Sequence, residues 1–288
     1  MVTLDVPLPR AQARLLRTDV PVGMVLAAGI LILLIVMAIA PALFTDADPL
    51  RTDPLAAFQP PGAAHPFGTD QLGRDQFARV IHGARLSLGM GFGATVIGLI
   101  AGLALGLLAG LSRGWGDRVL SRIIDVLYAF PEMLLAIIAV AVLGTGFSTL
   151  LIAIGIGSIP SYARVLRSQV LQVRSSGYAE SAVTLGQRPA LIAWRHVLPN
   201  SIGPVLVLAT IGVGTAIIFG SALSFVGLGA QPPTPEWGLM LSDSRNYLSL
   251  APWLALWPGI FLAATVISVT VIGRWLQRRF VSPLGGRR

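Results

Sequence analysis

The side chains that carry most enzymatic chemistry are few in this sequence and scattered. Three histidines, His65, His82 and His196, lie far apart in what read as loops, and no two sit at metal-ligand spacing. There is no Cys, which excludes disulfides and thiolate metal sites. No nucleophile–base pair can be assembled from three isolated loop histidines, so enzymatic turnover is not expected of this chain. All 21 basic residues are Arg. The Gly-Lys-Ser/Thr loop that cradles ATP phosphates needs a Lys, so ATP-driven work would require ATP and Mg2+ to be bound by another subunit. No cofactor is implied for the chain itself. What remains is one carboxylate in an apolar run, Glu132, and one long polar interruption between two apolar spans, Tyr178 to Asn200.

Composition says what must position these residues. The chain is 54% hydrophobic and 12% charged, about half the charge of a soluble domain. It reads as an all-α integral membrane protein with six spans. Residues 1–20 form a polar N-terminal tail, 21–44 the first span and 45–85 an outer loop. Residues 86–276 form a core of five further spans, at 86–111, 123–143, from 149 with a kink at Pro160, 202–226 and 252–272. A polar loop at 175–200 interrupts that core, and 277–288 form a tail. Ala38-Ile39-Ala40 has the small-x-small look of a signal cleavage site. The apolar run is nevertheless longer than a signal h-region, Pro41 follows directly, and the run is long enough to cross ~30 Å of hydrocarbon, so an uncleaved helix is expected.

The arginines orient the spans. With the N-terminus inside, sixteen of the 21 fall in cytoplasmic segments and five (Arg51, Arg74, Arg79, Arg85, Arg245) outside. Both termini and the 175–200 loop are therefore cytoplasmic by the positive-inside rule. The same rule accounts for the net charge of +8 without nucleic acid.

Within the spans, Ala94, Gly98, Gly102, Gly106 and Gly110 recur every four residues, as do Gly212, Ala216, Gly220 and Ser224. Each set makes a ridge of small residues on which a second helix can lie close. Glu132 falls about 14 Å inside the third span at ~1.5 Å per residue. A carboxylate at that depth either serves the translocation path or pairs with a neighbouring helix or with backbone freed near Pro131. Arg164, Arg167 and Arg174 share one face of the fourth helix, a basic stripe for lipid headgroups or for a partner protein. Trp253 and Trp257 at one end of the last span and Trp275 at the other suit interfacial belts.

The 175–200 loop has its own punctuation. Tyr178 to Leu185 can form a short helix, Gly186 can close it in the left-handed conformation, Pro189 suits the first turn of a second helix, and Pro199 is expected to stop that helix. This is a helical hairpin tethered at both ends to membrane. Its pattern, Tyr178-Ala179-Glu180-Ser181-Ala182, then Gly186, then His196-x-Leu198-Pro199, resembles the EAA loop of ABC-importer permeases, with Ser181 for the middle alanine. The resemblance implies that these residues dock the chain to an ATPase subunit. His65 to Leu88 (HPFGTDQLGRDQFARVIHGARLSL) and Leu223 to Leu241 (LSFVGLGAQPPTPEWGLML) resemble segments of one permease branch, the C-type subunit of dipeptide, oligopeptide and nickel importers.

That resemblance implies a type I ABC importer permease fold in the bacterial plasma (inner) membrane. It also implies a homologous B-type permease partner, two cytoplasmic ATPase subunits and an extracytoplasmic binding protein that delivers peptide. Nickel or another small solute stays open as cargo, although no Met/His/Cys cluster in the spans suits a metal. Thr270 to Arg274 departs from the Asn-Leu-Leu-Gly-Asp run of that branch, leaving the role of the tail open. A stand-alone ion-coupled transporter would show inverted repeats and several intramembrane charges; here there is Glu132 alone and no internal repeat.

Overall fold

In hydrocarbon a chain satisfies its backbone polar groups by closing them into helices, and helices dominate the computed structural model. It describes residues 21–280; the tail expected at 1–20 and the end of the tail expected at 277–288 lie outside the described residues. So do the side chains of Tyr178, Ala179, Glu180, Val183, Pro189 and Phe280. The helices are α1 (Val22–Ile39), α2 (Gln76–Leu111), α3 (Trp115–Tyr128), α4 (Glu132–Leu143), α5 (Phe147–Arg174), α6 (Gly177–Thr184), α7 (Pro189–Ile192), α8 (Leu198–Phe225), α9 (Trp237–Ser244) and α10 (Trp253–Phe280). Five are long and apolar enough to cross a membrane, and α3 with α4, bent by 93°, would be a sixth if the pair counts as one span.

The centre of the bundle is α2 against α5. The glycine ridge of α2 faces α5 so closely that an added Cβ on Gly102 would lie 2.6 Å from the Tyr162 Cβ, on Gly106 2.6 Å from the Ala163 carbonyl oxygen, and on Gly110 2.5 Å from Val170. Gly98 meets Ser158 more closely still. The second ridge, on α8, receives Tyr162 at Gly212 and Met90 at Gly220. Packing of this kind replaces the hydrophobic drive that lipid does not provide.

Three elements differ from the sequence expectation. The third span is not one helix over 123–143: α3 and α4 meet at 93°. Pro131 sits at the junction with φ −55° and ψ 133°, because it cannot donate to a helix behind it and disfavours helical geometry at Phe130. Pro199 does not stop the second hairpin helix. A π-turn at Ala193–Val197 carries the chain straight into α8, with the Leu198 N–H reaching back to the Ala193 carbonyl. The turn shifts the hydrogen-bond register just where Pro199 has no N–H to give. Thirdly, the outer loop expected over 45–85 ends at Asp75, whose carboxylate caps α2 by accepting from the Ala78 N–H at 2.8 Å. His82 is therefore helical, not in a loop, and His196 lies in the π-turn. At 36 residues α2 is about 54 Å long, so its outer turns stand clear of the hydrocarbon.

Those first turns of α2 anchor a cap at the end of the bundle away from the hairpin. Trp237, fully buried, donates from Nε1 to the Val80 carbonyl at 2.9 Å, and its ring lies over Gly83, where a Cβ would meet Cδ1 at 2.9 Å. Buried Glu236 accepts from the Gly238 and Leu239 N–H groups at 2.8 Å, from Ser87 Oγ at 3.2 Å and from Ser224 Oγ at 2.5 Å. Buried Asp70 pairs with Arg74 at 2.6 Å and with Arg79 at 3.6 Å, while Arg79 donates to the Pro49 and Pro233 carbonyls. Trp253 and Trp257 belong to this cap: Trp253 donates to the Thr69 carbonyl at 3.2 Å and Trp257 stacks on Phe67 at 3.9 Å. Both are half-buried and pack within this cap.

Candidate functional site

The helical hairpin between α5 and α8 is built by local rules. In α6 the Ser181 hydroxyl donates to the Gly177 carbonyl at 2.7 Å and Thr184 to Ser181 at 2.8 Å. The helix closes with Gly186 at φ +72° and the Gln187 N–H bonded to the Ala182 carbonyl at 3.2 Å, the six-to-one bond of a Schellman cap. Arg188 then accepts from the Leu191 and Ile192 N–H groups, starting α7. Ala182, Ile192 and Val197 are buried against Leu166, Val170 and Val205, seating the hairpin on the inner ends of α5 and α8.

The other side of the hairpin faces out. Leu185 is 79% exposed, Trp194 69% and Leu191 46%, with Arg188 and Arg195 exposed beside them. A helix that is apolar on both faces needs cover on both, and the membrane core covers one. Sequence reasoning overlooked this face. The signal was present in Leu191 and Trp194, which lie three apart and out of phase with the buried pair Ile192 and Val197. His196 Nε2 and Gln187 Oε1 are buried without a hydrogen-bond partner among the described residues. The backbone of Tyr178, Ala179 and Glu180 lies in α6; Leu198 and Pro199 form the first turn of α8.

Glu132 occupies a different level. It is the first residue of α4, and its carbonyl would lie 2.7 Å from a Cβ on Gly157. Gly157 is ten residues into α5, which puts Glu132 about 15 Å below the outer end of that helix. The bend leaves a cavity of about 260 Å³ lined by Tyr128, Phe130, Glu132, Gly157, Pro160 and Ser161, open on one side. The structure does not bring Glu132 to the hairpin. From Gly157 to the end of α5 at Arg174 is about 25 Å.

What joins the two levels is α3. Its apolar face, Leu120 and Ile124, packs on Leu105, Ala109 and Ala163, and its length is tied to α5 by the basic stripe. Arg164 stacks on Tyr128 with Cζ 4.4 Å from the ring centroid, Arg167 pairs with Asp117 at 2.8 Å, and Arg174 donates to the Gly110 carbonyl at 2.5 Å. Arg164 and Arg167 are thus engaged by α3, which the bend at Pro131 folds across them, and Arg174 by the end of α2.

Residues 102–282 match the family described as "Binding-protein-dependent transport system inner membrane component". The chain is 45% identical over 243 residues to the dipeptide transport system permease protein DppC of Alkalihalophilus pseudofirmus, covering 84% of this chain and 80% of that one. It is 42% identical over 217 residues to the glutathione transport system permease protein GsiD of Pectobacterium atrosepticum, covering 75% and 72%. In fold it is similar to the inward-facing MetNI methionine ABC transporter, with TM-score 0.56 at 21% identity over 70% of this chain and 96% of that one. A second likeness is to an amino acid ABC transporter, with TM-score 0.55 at 17% identity over 70% and 94%.

Proposed function

The chain belongs to the family of inner membrane components of binding-protein-dependent transport systems, and from that premise we propose that it forms half of the translocation pathway for short peptides. It is a multi-pass protein of the bacterial inner membrane with the fold of a type I ABC importer permease, and it works with other permease and ATPase subunits, in which ATP hydrolysis resides. In this reading its partners are a homologous B-type permease, two ATPases that bind ATP and Mg2+, and an extracytoplasmic binding protein that delivers the peptide.

The observation that carries the reading is the hairpin. Leu185, Leu191 and Trp194 make an exposed apolar face on the cytoplasmic side, its direction set by the left-handed Gly186. An aromatic anchor ringed by arginines is the composition of a protein interface. We assign this face, with the α6 turn from Tyr178 to Ala182 and the π-turn around His196, Leu198 and Pro199, to the ATPase. Motion of the motor then enters the membrane through Ala182, Ile192 and Val197, the residues wedged against α5 and α8. Glu132 lines the path in the same reading. The peptide assignment follows the dipeptide and glutathione relatives. A metal cargo has less support, since no group of three His, Cys, Asp or Glu side chains that could hold a metal occurs among the described residues.

Reconstitution of the complete complex in vesicles decides it. ATP-dependent uptake of a labelled dipeptide that requires the binding protein is expected. Uptake by this chain alone under an ion gradient, without ATP, would overturn the reading.

A further inference from the structure

The helix α3 presents two unmatched surfaces side by side. Arg113, just before it, and Arg118 and Arg122 within it are exposed. The ion pairs among the described residues are His65–Asp75, Arg74–Asp70, Arg79–Asp70 and Arg167–Asp117, and these three arginines are in none of them. With Asp117 taken by Arg167, the exposed carboxylate on their side is Asp125, so cations exceed anions there by three to one. Beside the arginines runs an apolar stripe. Trp115 is 75% exposed, Val126 51% and Ile123 45%, and with half-buried Val119 they fall within about 80° of one another at ~100° per residue. Leu120 and Ile124, which seat α3 on the bundle, lie on the other side of the helix.

The contacts of α3 fix its direction and its depth. Asp117 and Tyr128 are about 17 Å apart along α3, yet their partners on α5, Arg167 and Arg164, are about 5 Å apart. The helix therefore crosses α5 steeply, in keeping with its 93° turn from α4. From the start of α5 at Phe147, Arg164 and Arg167 lie about 26–30 Å along the helix, one thickness of hydrocarbon. This puts α3 in the plane of the membrane surface at the hairpin end. A helix in that plane with Trp and aliphatic groups on one face and arginines along its edge matches those that lie in the headgroup boundary. Its circumference divides in three: Leu120 and Ile124 for the bundle, the Trp115 stripe for acyl chains, and Arg118 and Arg122 for the headgroups between chains and water.

We propose that α3 is an anionic-phospholipid site, with the lipid phosphate on Arg118 and Arg122 and the upper acyl chains on Trp115, Ile123 and Val126. The two arginines stand at i and i+4, about 6 Å apart along one face, so both guanidinium groups can donate to one phosphodiester. A free phosphate would leave the stripe uncovered. An apolar surface of a second subunit would leave the arginines unmatched, whereas a phospholipid brings both halves of the complement at this depth. The bound lipid braces α3 against the membrane surface, and with it the bend at Pro131 from which α4 starts. None of this depends on the cargo, so it stands whether or not the substrate is a peptide.

The absence of Cys gives a direct test. Val126→Cys, labelled with bimane, places one fluorophore on the stripe a turn beyond Arg122, in the complete complex with cysteine-free partner subunits. The complex is reconstituted in phosphatidylcholine vesicles carrying a few per cent of a lipid brominated high on its acyl chains. Brominated phosphatidylglycerol is expected to associate with the site about twenty-five times more strongly than brominated phosphatidylcholine, about fivefold for each arginine. Arg118→Gln with Arg122→Gln should erase that preference and leave quenching by brominated phosphatidylcholine as it was, which shows that the helix still lies in the bilayer. Lysine at both positions should keep most of the preference, because the charge is retained. Equal quenching by the two lipids would overturn the anionic site. Quenching by neither would mean that another subunit covers the stripe, and a preference that survives the double Gln variant would place the charge selectivity elsewhere; either result overturns the proposal.

Discussion

The cap and the hairpin are both polar segments between spans, yet one buries its tryptophan, Trp237, and the other exposes Trp194. In the cap, Glu236 has four donors, Arg79 has two carbonyls and a carboxylate, and Trp237 has a carbonyl for its N–H. In the hairpin, Trp194 and Leu185 face outward, while His196 Nε2 and Gln187 Oε1 have no partner among the described residues. Buried polar groups are ordinarily satisfied. Trp257 Nε1 in the cap is likewise without a partner among the described residues, so what separates the two regions is the burial of Trp237 against the exposure of Trp194.

The contrast breaks most visibly at Trp237. Trp237→Ala should cost about 3–5 kcal/mol, emptying the cap core and removing the indole bond to the Val80 carbonyl. The measurement is the thermal melt of the purified complex, and an unchanged midpoint would remove the cap as a folding unit. Next comes the hairpin. Gly186 has φ +72° with open space around it, so Gly186→Val brings backbone strain above the ~1–2 kcal/mol of an ordinary left-handed residue without a clash. Membrane insertion should survive, but ATP hydrolysis should no longer respond to loaded binding protein. Retained stimulation would show that the aim of the hairpin is immaterial.

Trp194→Ala sharpens the comparison from the other side. It should leave the melt of the isolated permease within about 0.5 kcal/mol and weaken ATPase binding by ~2 kcal/mol, roughly thirtyfold. Pull-down titration measures it, and a destabilised permease with normal binding would reverse the assignment.

The smallest effect is expected at Asp243, on the cap's wall. Burial pushes its carboxyl above the ordinary value, and this outweighs the opposing pull of Arg79 and Arg74. A raised folded-state value means the folded cap holds that proton more tightly. Its penalty is present above the folded value and relieved as pH falls through it. Asp243→Asn should therefore raise stability at neutral pH by less than about 1 kcal/mol, with the gain vanishing in acid. A gain that grows in acid would contradict the sign.

Where sequence reasoning succeeded, the physics was local. The left-handed Gly186, the helix start at Pro189 and the four-residue glycine ridges depend on a residue's own backbone or on helical periodicity. The bend at Ala129–Pro131 was half legible: Pro131 was visible, but apolar character on both sides read as one span. The π-turn before Pro199 was not legible, since it depends on α8 continuing behind it. The partners of Arg164 and Arg167 were hidden because they lie on α3, which reaches them only after the bend, and that of Arg174 because it is a backbone carbonyl at the far end of α2. Half of the Glu236 cluster was hidden in the same way: Gly238 and Leu239 are its neighbours, but its two hydroxyl donors are 149 and 12 residues away in sequence. The outward face of Trp194 needed the buried face to be known first.

The seam between α2 and α5 has a mechanical consequence. Ser158 sits over Gly98, Tyr162 over Gly102, Ala163 and Leu166 over Gly106 and Val170 over Gly110, like teeth in notches about 6 Å apart. A small slip drives a tooth into backbone, and the next notch is a whole step away. The two rods are therefore geared: neither can slide along the other without driving a side chain into backbone. Compliance has to lie elsewhere, and the break between α3 and α4 is the joint where this gear train can give.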